Sequence, residues 1–109
     1  MKLLIAGSRS ITEFDLSPYV SNEIDTIITG GAKGIDFIAE QYADLHRLSK
    51  YVIRPRYSIY KKGAPLKRNK EMVDIADEIL IIWDGKSKGT KQTLDYTKKS
   101  NKPFKLIKI

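Results

Sequence analysis

The sequence predicts an α/β fold: a Rossmann-like three-layer domain with a five-stranded parallel sheet in the order 3-2-1-4-5 and helices on both faces. Five short apolar runs alternate along the 109-residue chain with segments of helical periodicity, and three of these runs lead directly into glycine-containing loops. Strands that alternate with helices form parallel sheets through right-handed crossovers. Because a chain of this length is enough for one core but not for two, residues 1–109 are predicted to form a single domain.

The strands are predicted from the apolar runs, which are continuous because a parallel strand is usually buried on both faces. They cover residues 3–6, 26–29, 51–53, 79–83 and 104–107. The helices are predicted from apolar residues that recur every three or four positions, across residues 35–49, 65–77 and from about residue 90 to 101. Pro18 suits an early helical position, so a further short helix is expected within residues 11–21.

The composition excludes several kinds of site. The chain has no cysteine, which excludes disulfides and thiolate chemistry, and its one histidine, His46, excludes a multi-histidine zinc site within one chain. No metal and no required cofactor are therefore expected. The apolar start of the chain stops after a few residues, whereas a membrane span needs roughly 20. We therefore expect a cytoplasmic protein without a membrane partner.

The net charge is +7, and the basic residues are concentrated in two segments. Residues 54–70 contain seven Lys or Arg residues and no acid, and residues 86–109 contain eight lysines and only Asp95 as an acid. This charge indicates either a lysine-rich solvated surface or attraction to polyanions. The first interpretation is favoured, because lysine tails without interleaved aromatic residues are a weak signal for nucleic-acid binding. Single-stranded nucleic acid remains an alternative partner.

Three glycine-bearing loops follow strands that are neighbours in the predicted order. They are Gly7-Ser8-Arg9, Gly30-Gly31-Ala32-Lys33-Gly34 and the segment 84–90. Ligands of open parallel sheets bind outside the carboxyl ends of the strands where the strand order reverses, so the loops are expected to converge on one crevice. Glycine lets backbone N–H groups approach an anion, and helix N-termini attract phosphate. Each loop alone could be an ordinary turn, but three at one sheet edge favour a phosphate site.

Polar and aromatic side chains near these loops are weaker candidates. Arg68 and Asn69 are predicted in the first turn of the third helix, where arginine could pair with phosphate, but a solvated helix start is equally consistent. Asp36 could accept hydrogen bonds from ribose hydroxyls or simply interact with the helix dipole. Trp83 could stack on a base, although a packed edge aromatic is the commoner explanation.

Four motifs occur in order between about residues 3 and 107: Ala6-Gly7-Ser8-Arg9, Thr29-Gly30-Gly31-Ala32-Lys33-Gly34-Ile35-Asp36, Arg68-Asn69-Lys70-Glu71-Met72-Val73 and Ser87-Lys88-Gly89-Thr90. Together they resemble the SLOG superfamily, which includes the Smf/DNA-processing protein A core, the LOG proteins and small stand-alone YspA-like domains. The resemblance is strongest to the YspA-like family. It implies a Rossmann-like fold that binds a nucleotide-derived molecule, with phosphates near Gly30 to Gly34 and Gly89-Thr90, and it suggests a homodimer.

One departure from the resemblance concerns catalysis. LOG enzymes cleave cytokinin-type nucleoside monophosphates and use the motif P-G-G-x-G-T-x-x-E, whereas this chain has Thr93 at the position of the catalytic glutamate. A threonine hydroxyl does not act as a general base at neutral pH. An activity of that type would need another carboxylate, for which Asp36, Glu40 and Asp95 are candidates. The dinucleotide motif G-x-G-x-x-G and the Walker P-loop are both absent.

These observations predict a sensor or carrier of a nucleotide-derived ligand, such as a nucleoside phosphate, ADP-ribose or NAD. The alternatives are a nucleotide-processing hydrolase and a protein that binds single-stranded nucleic acid. The predicted ligand-binding residues are Gly7, Ser8, Arg9, Gly30, Gly31, Ala32, Lys33, Gly34, Asp36, Arg68, Asn69, Ser87, Gly89 and Thr90.

Overall fold

Five parallel strands form one sheet in the order β3-β2-β1-β4-β5 in the computed structural model, which describes residues 1–109. The strands are β1 (Lys2–Gly7), β2 (Thr26–Thr29), β3 (Ser49–Val52), β4 (Glu78–Trp83) and β5 (Phe104–Lys108). The predicted fold class and strand order are therefore confirmed. β1 pairs with β2 on one side and β4 on the other, so the chain reverses its direction of travel across the sheet at β1.

Three longer helices and one short helix connect the strands: α1 (Ile35–Leu45), α2 (Tyr57–Tyr60), α3 (Ala64–Ile75) and α4 (Lys88–Ser100). Helix α1 ends before the predicted residue 49, because Arg47 has a left-handed φ of 57° and the Leu48 N–H donates to the Ala43 carbonyl at 2.8 Å. This is the hydrogen bond of a helix C-cap motif. Residues 49–52 are thereby free to pair with β2 as β3. Helix α2 was not predicted.

The short helix predicted within residues 11–21 is present only as a three-residue 3-10 helix at Ser17–Tyr19, with Pro18 near its start as expected. The Asp15 carboxylate accepts the Ser17 N–H at 3.0 Å, and such a local side-chain bond competes with helix formation. Ile11 and Leu16 are nonetheless buried against the same core as α1, so the segment covers the sheet without a regular helix.

Alternating side chains of the central strands form two apolar layers. Leu3 and Ile5 of β1 pack on the face that α1 covers, and Leu4 and Ala6 pack on the opposite face. The α1 layer also contains Ile27, Leu80, Ile82, Ile35, Ala39 and Ala43. The opposite layer, under α3 and α4, contains Ile28, Ile79, Ile81, Met72, Val73, Ala76 and Leu94. The helices therefore lie on both faces, as the prediction of three layers requires.

The edge strands differ from the prediction that the strands are buried on both faces. Most residues of β3 and β5 are exposed, including Tyr51 and Phe104. Three longer helices cover the central strands, and the outer strands extend beyond them. None of the helices combines the length and apolar character that crossing a membrane would require.

Lys102 fixes the C-terminal end of α3 from the turn that follows α4. Its ammonium group donates hydrogen bonds to the carbonyl oxygens of Val73 at 2.8 Å, Asp74 at 2.6 Å and Ala76 at 2.8 Å. These carbonyls lie in the last turn of the helix or just after it, where few N–H groups remain to bond them, although the Val73 carbonyl also accepts the Ala76 N–H at 3.3 Å. A cation at a helix C-terminus also interacts favourably with the helix dipole. The contact thus joins the end of α3 to the turn after α4, which packs beside it on the same face of the sheet.

We expect Lys102→Met to lower the free energy of unfolding by about 1–3 kcal/mol, because it removes charge-assisted hydrogen bonds from carbonyls that burial partly shields from water. Urea denaturation followed by far-UV circular dichroism measures the loss. Lys99→Met is the matched control, because Lys99 is exposed at the end of α4 and its ammonium makes no ion pair. Equal stability of the two variants would contradict this account of α3.

Candidate functional site

The carboxyl ends of the central strands open into a cavity of about 390 Å³, here called the main cavity. Sixteen residues line it, of which three are hydrophobic. Nine were predicted as ligand-binding: Gly7, Arg9, Ala32, Asp36, Arg68, Asn69, Ser87, Gly89 and Thr90. The other seven lining residues were not predicted to bind a ligand: Ala6, Ser10, Pro65, Met72, Asp84, Gln92 and Thr93. The expected convergence of the loop after β1, the loop after β2 and the start of α4 is therefore present.

The remaining predicted residues lie beside the main cavity or beneath it. Gly31, Lys33 and Gly34 line a shallow depression with Phe37. Gly30 lines a third depression, described below. Ser8 lines neither the main cavity nor these two depressions, and it is fully buried. Its hydroxyl accepts the Asp84 N–H at 3.0 Å, so it joins two loops within the protein.

Asp36 supplies a buried carboxyl group to the main cavity. It lies in the first turn of α1, and its Oδ2 accepts the Ala32 N–H at 3.2 Å. Burial raises the pKa of Asp36 above its ordinary value, although the Ala32 N–H and the nearby Arg68 charge act in the opposite direction. A carboxyl group that is costly to ionise therefore faces a polar cavity.

Arg68 and Asp36 explain why residue 30 is glycine. The Arg68 Nη1 donates to the Gly30 carbonyl oxygen at 2.7 Å, and its Nε donates to Asn69 Oδ1 at 2.8 Å. A Cβ atom on Gly30 would lie 2.5 Å from Arg68 Nη1 and 2.8 Å from Asp36 Oδ2. Burial lowers the pKa of Arg68, although the nearby Asp36 carboxyl group acts in the opposite direction. The pair Arg68-Asn69 lies in the second turn of α3 and not in the first, because the helix begins at Ala64.

Asp84 organises the start of α4, and sequence reasoning missed it as a site residue. Its Oδ1 accepts the N–H groups of Lys86 at 2.8 Å and Ser87 at 2.9 Å, and its Oδ2 accepts the Ser10 hydroxyl at 2.6 Å. These bonds, with that from Ser10 the strongest, hold the pKa of Asp84 well below its ordinary value. An aspartate directly after a strand and before glycine is a typical turn signal, which could have indicated this role.

The first turn of α4 presents unused donors to the main cavity. The N–H groups of Lys88, Gly89 and Thr90 donate to no protein acceptor. No atom lies within 4 Å of the position that a Cβ on Gly89 would occupy. Thr93 also lines the cavity, and its hydroxyl donates to the Gly89 carbonyl at 3.1 Å. Free N–H groups at a helix N-terminus favour a bound anion.

Several side chains considered at the sequence level lie outside the main cavity. The Trp83 indole N–H donates to the Ser87 carbonyl at 3.0 Å, and Lys108 lies over its ring, so Trp83 has a packing role. Glu40 is paired with Lys50 and Asp95 with Lys91. Of the three carboxylates proposed as substitutes for the LOG glutamate, only Asp36 lines the cavity. The structure contains no cluster of three or more His, Cys, Asp or Glu residues that could hold a metal ion.

No family model, curated protein or solved structure matches this chain. The resemblance to the SLOG superfamily therefore stays a prediction. The site must be interpreted from its own geometry.

We expect Asp36→Asn to raise the midpoint of thermal unfolding at pH 7 and to change it little at about pH 3.5, below the ordinary pKa of a carboxyl group. Because burial raises the pKa of Asp36 in the folded state, the unfolded chain releases this proton first as the pH rises. Stability is then lost between the unfolded and folded pKa values. Asparagine avoids this loss and can still accept the Ala32 N–H.

Asp95→Asn is the control for that experiment. Hydrogen bonding to Lys91 lowers the pKa of Asp95, so its removal should slightly reduce stability at pH 7. Thermal scans of the three proteins at both pH values make the comparison. A lower midpoint for Asp36→Asn at pH 7 would show that the ionised carboxylate stabilises the fold, contrary to this interpretation.

Proposed function

We propose that the protein binds a nucleotide-derived phosphate ligand in the main cavity and acts as a binding or sensing module. The observation that carries the proposal is the first turn of α4, where the N–H groups of Gly89 and Thr90 donate to no protein acceptor and both residues line the cavity together with Arg9 and Arg68. A phosphate group needs several donors and positive charge in one place. The main cavity supplies both.

The size and polarity of the cavity agree with such a ligand. Its volume of about 390 Å³ falls within the range of roughly 300–1,000 Å³ that is common for small-molecule sites. Only three of its sixteen lining residues are hydrophobic, which favours a ligand rich in hydroxyl and phosphate groups. Asp36 and Asn69 are both buried in its wall. In the proposed complex they accept hydrogen bonds from ribose hydroxyls.

The loop after β2 has a different part in this proposal from the one the sequence predicted. The Ala32 N–H already donates to Asp36, and the Gly30 carbonyl accepts from Arg68. The N–H groups of Gly31, Lys33 and Gly34, however, donate to no protein acceptor. We propose Gly89-Thr90 as the phosphate position because both residues line the main cavity, whereas of residues 30–34 only Ala32 does.

Gly89→Ala tests the phosphate position without disturbing the fold. The position is open to a Cβ, and alanine is favoured over glycine in helices by about 1 kcal/mol, so we expect equal or higher thermal stability. If phosphate contacts the Gly89 N–H closely, the methyl group should weaken nucleotide binding about tenfold or more, equivalent to about 1.4 kcal/mol. Isothermal titration with a panel of nucleoside phosphates, ADP-ribose and NAD measures the affinity.

Gly63→Ala is the matched control for Gly89→Ala, because Gly63 is also open to a Cβ and lines none of the depressions described above. Unchanged affinity in Gly89→Ala would contradict the phosphate position. Native mass spectrometry of freshly purified protein adds an independent test, since it reports a retained ligand and the number of subunits together.

A second candidate function is hydrolysis of the bound nucleotide, and the two carboxyl groups of the cavity favour it. Burial raises the pKa of Asp36, whereas hydrogen bonds from Ser10 and from backbone N–H groups lower that of Asp84. Opposite shifts within one site are typical of pairs in which one carboxyl group carries the proton and the other stays ionised. Such a pair could protonate a leaving base and stabilise positive charge on the sugar.

A hydrolase of this kind is expected to release base or phosphate from a nucleoside phosphate. We expect Asp36→Asn to lower the rate of that release about 100-fold or more, because general acid catalysis contributes about 10²–10⁴-fold. Chromatography of incubated nucleotides measures turnover. Glu40→Gln serves as the control, because Glu40 lies on the same helix outside the cavity. No turnover above a protein-free control would exclude this candidate and leave the binding module.

A further inference from the structure

Three arginines surround a depression of about 310 Å³ that adjoins the main cavity and is here called the arginine subsite. Arg9, Arg54 and Arg68 line it together with Gly30, Gly31, Ala32, Pro55 and Tyr57. No acidic residue is among these eight. From the sequence, Arg54 was distinguished only as one of the basic residues of segment 54–70, and no ligand-binding role was predicted for it.

Two of the guanidinium groups are anchored by carbonyl oxygens of adjacent glycines. Arg54 Nη1 donates to the Gly31 oxygen at 3.0 Å, and Arg68 Nη1 donates to the Gly30 oxygen at 2.7 Å. Each guanidinium has five N–H donors, so donors remain after these bonds. Gly31 has a φ of 73°, and a Cβ there would lie 2.6 Å from Arg54 Nη1. The backbone conformation of the glycine loop thus leaves room for the Arg54 side chain.

The positive charge of the arginine subsite is offset only in part within the protein, by the Asp36 carboxyl group near Arg68. None of the four ion pairs in the structure involves an arginine. Like charges held close together repel one another, and a bound anion that contacts them removes this repulsion. Arginine also matches phosphate oxygens with paired N–H groups. The chemistry of the subsite therefore selects a phosphate-like group.

We propose that the arginine subsite binds a second phosphate group of the same ligand, and that the protein prefers nucleoside diphosphates and their derivatives to nucleoside monophosphates. Arg9, Ala32 and Arg68 line both the subsite and the main cavity, so one ligand can reach both without crossing a barrier of protein. This inference rests on the proposed nucleotide binding at the main cavity. It adds Arg54 as the residue that determines specificity.

The test compares AMP with ADP, and GMP with GDP, by isothermal titration of the parent protein, Arg54→Ala and Arg56→Ala. We expect the parent to bind the diphosphates about tenfold or more tightly than the monophosphates, as one charge-assisted contact allows. Arg54→Ala should abolish most of this preference, while its affinity for the monophosphates should stay within about twofold of that of the parent protein. Arg56→Ala removes the same charge from an exposed position outside the subsite and should keep the preference.

The outcomes separate this inference from the function on which it rests. Equal affinity of the parent for mono- and diphosphates overturns the second subsite and leaves nucleotide binding intact. A lack of binding by all four nucleotides overturns both. A ten-residue oligothymidylate is titrated in parallel as a polyanion without a nucleotide-specific fit. If Arg54→Ala and Arg56→Ala lose the same amount of affinity, both for the nucleotides and for the oligothymidylate, the subsite is overturned in favour of a general polyanion surface. Thermal melting confirms that each variant is folded. Arg54→Lys keeps the charge without the paired N–H donors, so it should retain only part of the preference for diphosphates.

Discussion

The buried Ser8 is the junction on which the geometry of the site depends. Its N–H donates to the Ile82 carbonyl of β4 at 3.1 Å, and its own carbonyl accepts the N–H groups of Ile11 and Ile35. Its hydroxyl accepts the Asp84 N–H. One residue thus joins the end of β1 to β4, to the first residue of α1 and to the loop that leads into α4. The side chain contributes the bond to the loop before α4, and the main chain contributes the other three, so the three loops share one support.

This junction divides the glycine-rich loops into two kinds. The loop after β2 is held inward, where Asp36 accepts the Ala32 N–H and Arg68 binds the Gly30 carbonyl. The loop before α4 is held by Asp84, and that arrangement leaves the following N–H groups without protein acceptors. Glycine serves different physical needs in the two loops: close approach of charged side chains in the first, and an open helix start in the second. The second loop also lines the main cavity with Ser87, Gly89 and Thr90, whereas only Ala32 of the first loop does, although the first contains more glycines.

The sequence predicted the fold well because the fold depends on local patterns. Apolar runs and helical periodicity identified every strand and the three longer helices, and the alternation of elements predicted the strand order. The short helix expected in residues 11–21 is only a three-residue 3-10 helix, at whose start the Ser17 N–H donates to the Asp15 carboxylate, a contact that the position of Pro18 does not reveal. The site was predicted only in part. Contacts such as those of Asp84 with Ser8 and of Arg54 with Gly31 join residues 76 and 23 positions apart, and no local pattern encodes them.

The charges around the site are arranged at a cost to the folded protein. Burial disfavours ionisation of the Asp36 carboxyl group, and no acidic residue lines the depression formed by Arg9, Arg54 and Arg68, although Asp36 lies near Arg68. Natural proteins retain such conflicts mainly where function requires them, since substitutions that remove them usually raise stability. A ligand with hydroxyl groups and two phosphates would relieve both conflicts, because it would offer donors to Asp36 and negative charge to the arginines. The electrostatics of the site and the chemistry of the proposed ligand are therefore complementary.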